Sequence, residues 1–249
     1  MTAADLVRHW DDQQAAYIAE REQRFAVMVD VLRQVADDEP MTVLDLACGP
    51  GSLAARVLDA VPNSRVVAVD YDPVLLDLAV EYLAPYGDRA RIVDADLTGE
   101  WREAVGDEAF AGAVSTTALH WLWPADLVRL FAEVAEVLRP GGVFLDGDHF
   151  RFDGRSPHIA RWAADHDRRT QEEAFADGAQ TWDRWWGSLS ERPGHAERVV
   201  ERDRRFAGRD ATPSTAIDFR LAALSQAGFA EVGTAWQLYD DYVTYAVRG

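Results

Sequence analysis

The chain has little that would point to secretion, nucleic acid or a membrane. Its 249 residues include one cysteine, Cys48, so no disulfide can form within it. Basic residues are scarce, since 25 lysines and arginines stand against 43 acidic residues, and the net charge of −18 repels phosphate backbones and anionic lipid surfaces. No apolar run has the length of a membrane span, and no leader pattern follows Met1. We therefore expect a cytoplasmic protein that acts on a small molecule, with neither nucleic acid nor membrane as a partner.

The sequence features that indicate a function are concentrated in one stretch, Thr42 to Ala55. Val43 to Leu46 is apolar except for Asp45, Cys48 to Gly51 contains two glycines and a proline, and helical spacing of apolar residues resumes at Ser52. Glycines let a ligand approach the backbone, and a helix that begins there presents unpaired N–H groups. A strand, a glycine turn and a helix in this order are typical of a nucleotide-binding corner.

Asp45 favours one class of ligand over another. A carboxylate beside the turn would repel the pyrophosphate of a dinucleotide, whereas it suits a nucleoside that carries positive charge. Gly49 to Ala54 nevertheless also satisfies the G-x-G-x-x-G/A pattern of NAD-binding proteins. An NAD-dependent oxidoreductase therefore stays open as an alternative.

The segment Asp45 to Gly51 resembles the first motif of the class I S-adenosylmethionine-dependent methyltransferases, (D/E)xGxGxG, with Ala47 at the first glycine position. The resemblance implies S-adenosylmethionine as cofactor, S-adenosylhomocysteine as product, and Asp45, Ala47, Gly49 and Gly51 as cofactor-binding residues. It also implies the fold: an α/β, Rossmann-like sheet of seven strands in the order 3-2-1-4-5-7-6, with the last strand antiparallel and helices on both faces.

The next predicted strand, Arg65 to Asp70, ends in a second acid. It is apolar up to Asp70, as buried parallel strands are. Asp70 lies nineteen positions after Gly51, where Rossmann-type and methyltransferase folds place an acid that accepts hydrogen bonds from the ribose hydroxyls. Tyr71 is expected to cover the adenine, and Asp72 to cap the following helix.

A third predicted strand, Ala90 to Asp94, precedes the candidate adenine contacts. Members of the family carry an acid here that binds the adenine amino group. Asp96 with Leu97 resembles that motif better than Asp94 does. A solvated loop acid is the alternative interpretation of Asp96.

The fourth predicted strand, Phe110 to Val114, leads into small polar residues and a histidine. Ser115 and Thr116 suit a crevice at the carboxyl ends of parallel strands, and we predict that they contact the cofactor. The tripeptide at 119–121 resembles methyltransferases of the trans-aconitate type, which places His120 between cofactor and acceptor as a general base or a contact. A histidine that only orders the loop is the alternative.

The region before and after the fifth strand carries a further family resemblance. A helix over Leu127 to Leu138, stopped by Arg139 to Gly142 before a strand Val143 to Asp146, is common in this family and is not expected of NAD-binding folds. His149 follows at the crevice and is the second candidate base. The acids and histidines here match the spacing of no standard metal site, so we expect no metal.

Two segments outside the sheet are expected to cover the site. Residues 1–40 form a helical cap with one helix over 4–36, and residues 151–212 form a helical lid between the fifth strand and the last helix, with helices near 157–176 and 179–189. By resemblance the cap contributes Trp10 to the acceptor, Tyr17 to the cofactor pocket, and Arg21 or Arg24 to the methionine carboxylate. Trp121, Trp182 and Trp186 are predicted to line the acceptor pocket. Packing of these aromatic residues against the core or a partner subunit is the alternative.

The remaining sequence completes the predicted sheet. A charge-dense helix over His195 to Arg209 is expected to be largely solvated. Ile217 to Ala227 predicts the final helix, and Glu231 to Tyr239 and Tyr242 to Arg248 predict a hairpin joined by Asp240 and Asp241.

These features predict a single methyltransferase domain, monomeric or homodimeric, that transfers a methyl group to an O, N or C nucleophile of a small molecule by in-line displacement. A protein of the same fold that binds the cofactor but catalyses cyclisation, or another reaction without methyl transfer, is the main alternative.

Overall fold

The computed structural model describes residues 1–36, 40–190, 192 and 194–249 and contains one seven-stranded sheet. The strands are β1 (Met41–Leu46), β2 (Ser64–Asp70), β3 (Ala90–Asp94), β4 (Phe110–Thr116), β5 (Leu138–His149), β6 (Phe229–Leu238) and β7 (Asp241–Arg248). Their order is β3-β2-β1-β4-β5-β7-β6. Strands β1 to β5 pair in parallel, and β7 runs antiparallel to both β5 and β6. The predicted fold is confirmed.

The helices connect the strands and flank both faces of the sheet. They are α1 (Ala3–Tyr17), α2 (Arg21–Ala36), α3 (Ser52–Ala60), α4 (Pro73–Leu83), α5 (Trp101–Val105), α6 (Pro124–Val137), α7 (Pro157–Ala176), α8 (Trp182–Ser190), α9 (His195–Phe206) and α10 (Ile217–Gln226), with short 3₁₀ turns at Ala84–Arg89 and Leu119–Trp121. Asp72 caps α4 as predicted, since its carboxylate accepts hydrogen bonds from the N–H groups of Val74 and Leu75.

The apolar core lies in two layers, one on each face of the sheet. Leu44 and Leu46 of β1 point into a layer with α6 and α10, and Val43 points into the other layer with α2 and α3. This alternation follows from the two-residue period of a strand. It places Asp45 on the α2 and α3 side, directly before the glycine turn.

The prediction of one helix over 4–36 is wrong, because the chain turns between α1 and α2. Ile18 is extended, Glu20 has a φ of 55°, and the side chains of Ile18 and Ala19 are buried. Neither proline nor glycine marks this break in the sequence. Burial on two different surfaces overrides local helix propensity, since α1 packs on α4, α7 and α8 while α2 packs on the sheet. Residues 37–39, where the helix was expected to end, lie outside the described residues.

Two predicted boundaries around β5 and β7 are also corrected. Helix α6 ends at Val137, and Arg139 to Gly142 belong to the start of β5 instead of a loop before it. A Cβ on Gly142 would lie 2.8 Å from the carbonyl oxygen of Arg139, which shows how closely the backbone folds there. The hairpin turn lies at Tyr239 and Asp240, so Asp241 is the first residue of β7 and pairs with His149.

Glu20→Gly is expected to stabilise the protein by about 0.5–1 kcal/mol. A left-handed conformation costs a residue with a Cβ about 1–2 kcal/mol, and the greater entropy of unfolded glycine offsets part of that gain. Thermal or urea unfolding measures the change. Ala19→Gly, at a buried neighbour without the positive φ, serves as the control and is expected to destabilise the fold. A loss of stability in Glu20→Gly would contradict the assignment of strain to this turn.

Candidate active site

The glycine turn after β1 uses left-handed backbone at three positions. Ala47, Gly49 and Gly51 have φ values of 55°, 56° and 92°. A Cβ on Gly51 would lie 2.9 Å from Cδ1 of Leu83, so a side chain here would have to displace Leu83 and would also be strained by the positive φ. Ala47 adopts the conformation of the glycine that it replaces in the motif, at a cost of about 1–2 kcal/mol. The turn therefore has the shape that the motif predicts despite the substitution.

Asp45 is a buried acid without a matching partner. Its side chain is 1% exposed, and neither oxygen accepts a hydrogen bond of normal geometry from the described residues. Burial, with a smaller contribution from the charge of Asp70, raises its pKa to about 7, and the nearby N–H of Ala54 offsets this only in part. Since an unpaired buried carboxylate is costly, a cationic ligand at this corner would relieve it. The residues present thus fit the ammonium or sulfonium group of S-adenosylmethionine.

Asp70 ties the end of β2 to the glycine turn. Its Oδ1 accepts hydrogen bonds from the N–H groups of Tyr71 (2.7 Å) and Asp72 (2.8 Å), and its Oδ2 accepts one from the N–H of Gly49 (2.7 Å). Burial raises its pKa to about 6, although these hydrogen bonds oppose the shift. Asp70 therefore holds the turn in shape, and contact with ribose hydroxyls stays a prediction.

A cavity of about 510 Å³ lies at the carboxyl ends of β2 and β3. It is lined by Tyr71, Asp94, Ala95, Asp96, Arg204 and Arg205. Its volume falls within the range of roughly 300–1,000 Å³ that is usual for small-molecule sites. Asp96 accepts hydrogen bonds from the N–H and hydroxyl of Thr98 at 2.9 and 2.8 Å, and Leu97 is buried in the core. Two of the predicted adenine contacts, Tyr71 and Asp96, thus line one cavity, and Leu97 does not.

Helix α9 lies against this cavity through Arg204 and Arg205. Only His195 is buried among residues 195–209, so the segment is largely solvated as predicted, but its arginines also pair with acids at the cavity. Arg202 binds Asp72 at 2.5 Å, Arg205 binds Asp94 with two nitrogens at 2.6 and 2.8 Å, and Arg209, just after the helix, binds Asp96. The spacing of three residues places Arg202 and Arg205 on one side of the helix. Their acidic partners lie more than a hundred residues earlier, which local charge patterns do not show.

His120 stands at the opposite end of the crevice, beside the buried Asp148. The Asp148 carboxylate lies 2.8 Å from Nδ1 of His120 through Oδ1, and its Oδ2 accepts the backbone N–H of His120 at 3.1 Å. Burial by itself raises the pKa of Asp148, but the charges of His120 and Arg220 outweigh it and hold that pKa well below its usual range. The His120 side chain is 32% exposed and therefore accessible to a ligand.

His149 has a carboxylate of its own. Its Nδ1 lies 2.5 Å from Oδ1 of Asp241, although the contact lacks the geometry of a hydrogen bond, and the same oxygen is 2.5 Å from Nη2 of the buried Arg24. The rings of His149 and His120 are 6.4 Å apart, centre to centre. The structure thus brings together two candidate bases that lie far apart in the sequence. Sequence reasoning missed Asp241 because it took this residue for a turn.

Other predicted cofactor contacts are engaged in local structure. Ser115 is buried and its hydroxyl donates to the carbonyl of Leu46 at 2.8 Å, which joins β4 to β1. The hydroxyl groups of Thr116 and Thr117 are 3.2 Å apart. These hydrogen bonds give Ser115 and Thr116 a structural role. Contact of either residue with a cofactor stays a prediction.

The cap candidates are also engaged. Arg21 is buried, forms an ion pair with Asp11 at 2.8 Å, and its guanidinium carbon lies 4.5 Å from the ring centre of Phe25. The ring of Tyr17 packs edge-on against Phe175 of the lid. Arg24, the alternative to Arg21 for the methionine carboxylate, is bound to Asp241 as described above. A cofactor role for Tyr17 and Arg21 stays a prediction.

The tryptophans of the cap and lid form one aromatic cluster. The ring centre of Trp10 lies 5.8 Å from that of Trp182 and 4.6 Å from that of the fully buried Trp185. The ring of Trp186 contacts both Trp182 and Trp185. Within the described residues, no ring contact joins this cluster to either candidate histidine. Trp121 differs, since it is 66% exposed and its ring lies 5.0 Å from that of His120. The contacts of Trp10, Trp182 and Trp186 are those of the packing alternative, and acceptor binding by any of the four stays a prediction.

Comparison with known proteins agrees with this geometry. Residues 43–142 match the family model described as a methyltransferase domain. The chain is 34% identical over 160 residues to a trans-aconitate 2-methyltransferase of Azoarcus sp. strain BH72, and 29% identical over 167 residues to one of Streptomyces avermitilis. These matches cover 62% and 63% of the chain and 58% and 59% of the relatives.

Among solved structures, the chain resembles the S-adenosylmethionine-dependent methyltransferase SibL in its apo form, with a TM-score of 0.58 and 18% identity. The match covers 99% of this chain and 69% of that one, and at this identity it bears on the fold alone. The sheet order is that of the methyltransferase fold. Residues 43–142 match a methyltransferase domain, in agreement with the family and the cofactor that the sequence predicts. The chain spans less than three-fifths of the length of these two curated relatives.

Two further features bear on partners and metals. In the part of the chain that the structure describes, no helix is long and apolar enough to cross a membrane. Among the same residues, no group of three or more histidine, cysteine, aspartate or glutamate side chains is arranged to hold a metal ion.

Cofactor affinity is expected to rise with pH between about pH 5 and about pH 7, by at most about tenfold per pH unit. The pKa of Asp45 is raised to about 7 in the free protein, so the carboxyl binds a proton below that pH and must lose it to pair with a cation. Titration calorimetry with S-adenosylhomocysteine, which carries the ammonium group, measures the affinity and the released proton.

The matched variant for this test is Asp45→Asn. It is expected to bind more weakly and to retain only the smaller pH dependence that Asp70, with its pKa raised to about 6, contributes. An affinity that does not change with pH, or an equal slope in the variant, would contradict a cation at Asp45.

Proposed function

We propose that this protein transfers the methyl group of S-adenosylmethionine to a nucleophile of a small-molecule acceptor. The observation that carries the proposal is the unpaired, buried carboxylate of Asp45 beside the glycine turn. When bound, the cofactor supplies an electrophilic methyl group on a sulfonium, so the protein has mainly to align the reactants and exclude water. The family match supports this assignment.

The binding residues follow from the geometry at the strand ends. Asp45 would pair with the positive charge of the cofactor, and the backbone of the turn from Ala47 to Gly51 would approach it closely. Asp70 would accept the ribose hydroxyls with the lone pairs that its backbone partners leave open. Tyr71, Asp96 and Leu97 would hold the adenine at the cavity beneath α9. Four weaker candidates complete the set: Tyr17, Arg21, Ser115 and Thr116.

His120 is the residue that we assign to the acceptor. Because Asp148 lies 2.8 Å from its Nδ1, that nitrogen carries the hydrogen and Nε2 is left to accept a proton from the acceptor. The lone pair freed on the acceptor forms the bond to methyl carbon, and the carbon–sulfur bond electrons leave with S-adenosylhomocysteine. Asp148 acts as a positioning residue, and His149 with Asp241 is a second candidate base on the same crevice.

The names of the curated relatives indicate which acceptors to test first. They are called trans-aconitate 2-methyltransferases, so trans-aconitate and other small carboxylic acids are the first candidates under this proposal. Cytoplasmic location and a monomeric or homodimeric state stay predictions from the sequence.

The proposal is tested by calorimetric titration with S-adenosylhomocysteine and, separately, with NAD. Binding of the former and none of NAD is expected, and a preference for NAD would overturn the methyltransferase assignment. Incubation with labelled S-adenosylmethionine and the acids named above then tests transfer. Cofactor that is consumed without a methylated product would favour the cyclisation alternative.

Asp148→Asn is expected to lower turnover by about a hundredfold or more, the usual contribution of an oriented base. The asparagine amide cannot hold His120 in the same tautomer, so the pH dependence of turnover should change as well. His120→Ala is expected to lose a similar factor, and the double variant little more, because the two residues act as a unit. Initial rates over a pH series measure all three.

Two controls make this prediction specific. S-adenosylhomocysteine affinity should stay within about twofold in each variant, because neither residue lies at the nucleoside end. Asp88→Asn removes one negative charge from an exposed position and should leave turnover unchanged. Full turnover in Asp148→Asn would limit Asp148 to a structural role.

A further inference from the structure

Helix α9 is attached to the rest of the protein mainly through arginines. Arg198 binds Asp77 of α4 at 2.9 Å, and Arg202 binds Asp72 at 2.5 Å. The guanidinium carbon of Arg202 also lies 4.2 Å from the ring centre of Trp186. Val200 of the same helix is 70% exposed, so α9 presents little continuous apolar surface. Ion pairs and stacking on aromatic rings therefore hold it in place.

The last turn of α9 and the residues after it engage Tyr71 and Asp96, which we assign to the nucleoside, and Asp94 beside them. Arg205 binds the Asp94 carboxylate with both terminal nitrogens and donates to the Tyr71 carbonyl at 2.9 Å. Arg209 binds Asp96. The guanidinium carbons of both arginines lie 4.9 Å from the ring centre of Tyr71.

These contacts compete with a bound nucleoside. A carboxylate oxygen that accepts from a guanidinium has fewer lone pairs for an adenine amino group, and a tyrosine face under a guanidinium is closed to a stacked base. The cavity of about 510 Å³ lies directly beside these groups, so a ligand can enter next to them before they are released. In the free protein, the guanidinium groups of Arg205 and Arg209 therefore occupy the positions that a bound nucleoside would take.

We propose that the end of α9, with Arg205 and Arg209, is an electrostatic latch that holds the nucleoside site closed and that cofactor binding requires its release. The inference rests on the proposed function, because it concerns the same site. Asp94 is 49% exposed, and ion pairs of this kind are weak and screened by salt. Release is therefore readily reversible. The apparent affinity of the cofactor equals its affinity for the unlatched form multiplied by the fraction of molecules that are unlatched.

Stopped-flow measurement of S-adenosylhomocysteine association tests the latch. This ligand has no net charge at neutral pH, so salt acts on the latch and not on long-range attraction to the acidic protein. Arg205→Gln is expected to raise the association rate constant about tenfold and to tighten binding. Raising the salt concentration should speed association in the unaltered protein and have little further effect in the variant.

Matched variants separate the latch from a general effect of charge. Arg209→Gln should act in the same direction as Arg205→Gln. Arg168→Gln removes an arginine whose partners, Asp165 and Glu172, lie on its own helix α7, and it should leave association unchanged. Circular dichroism establishes that each variant is folded.

The outcomes distinguish the two proposals. Association of Arg205→Gln at the rate of the unaltered protein, or slower, would overturn the latch while leaving cofactor binding intact, and slower association with weaker affinity would make Arg205 a direct ligand contact. Failure of every form, the unaltered protein included, to bind S-adenosylhomocysteine would overturn the proposed function and, with it, the latch.

Discussion

The structure depends on the burial of two carboxylates, Asp45 and Asp70, at the carboxyl ends of adjacent strands. Each raises the cost of ionising the other, and apolar strands on both sides keep water away. Asp70 is compensated by three backbone N–H groups, and in doing so it sets the shape of the glycine turn. Asp45 lacks such compensation, which is why the proposed function pairs it with a cation. One acid shapes the turn, and the other has no hydrogen-bond partner among the described residues.

A similar arrangement of charge exists at the acceptor end. Three buried carboxylates, those of Asp146, Asp148 and Asp241, face the two buried guanidinium groups of Arg24 and Arg220. Burial raises the pKa of Asp146 to about 7, even though Arg220 opposes the shift. His120 faces Asp148 and His149 faces Asp241, so three acids share this region with two arginines and two histidines.

The sheet order and the glycine turn were predictable because short-range patterns in the sequence indicate both. Strand periodicity, the motif around Asp45 and the cap at Asp72 each depend on residues close together in the sequence. The turn at Ile18, the ion pairs of α9 and the contact of His149 with Asp241 were not predictable in this way. Each depends on which surfaces meet after folding, and ion pairs between distant segments leave no periodic signal. The shape of the glycine turn was therefore foreseen, whereas the ion pairs of α9 and the approach of His149 to Asp241 were not.

The lid is joined to the cap by a hydrogen bond from the indole nitrogen of Trp185 to the carbonyl of Leu6, across 179 positions of the chain. During synthesis, helix α1 therefore lacks the contact with Trp185 until after the strands β1 to β5 have left the ribosome. Closing so long a loop is favourable only once the intervening strands are packed. The N-terminal helices and the helices of residues 151–212 would consequently assemble late and together, after the sheet on which they pack.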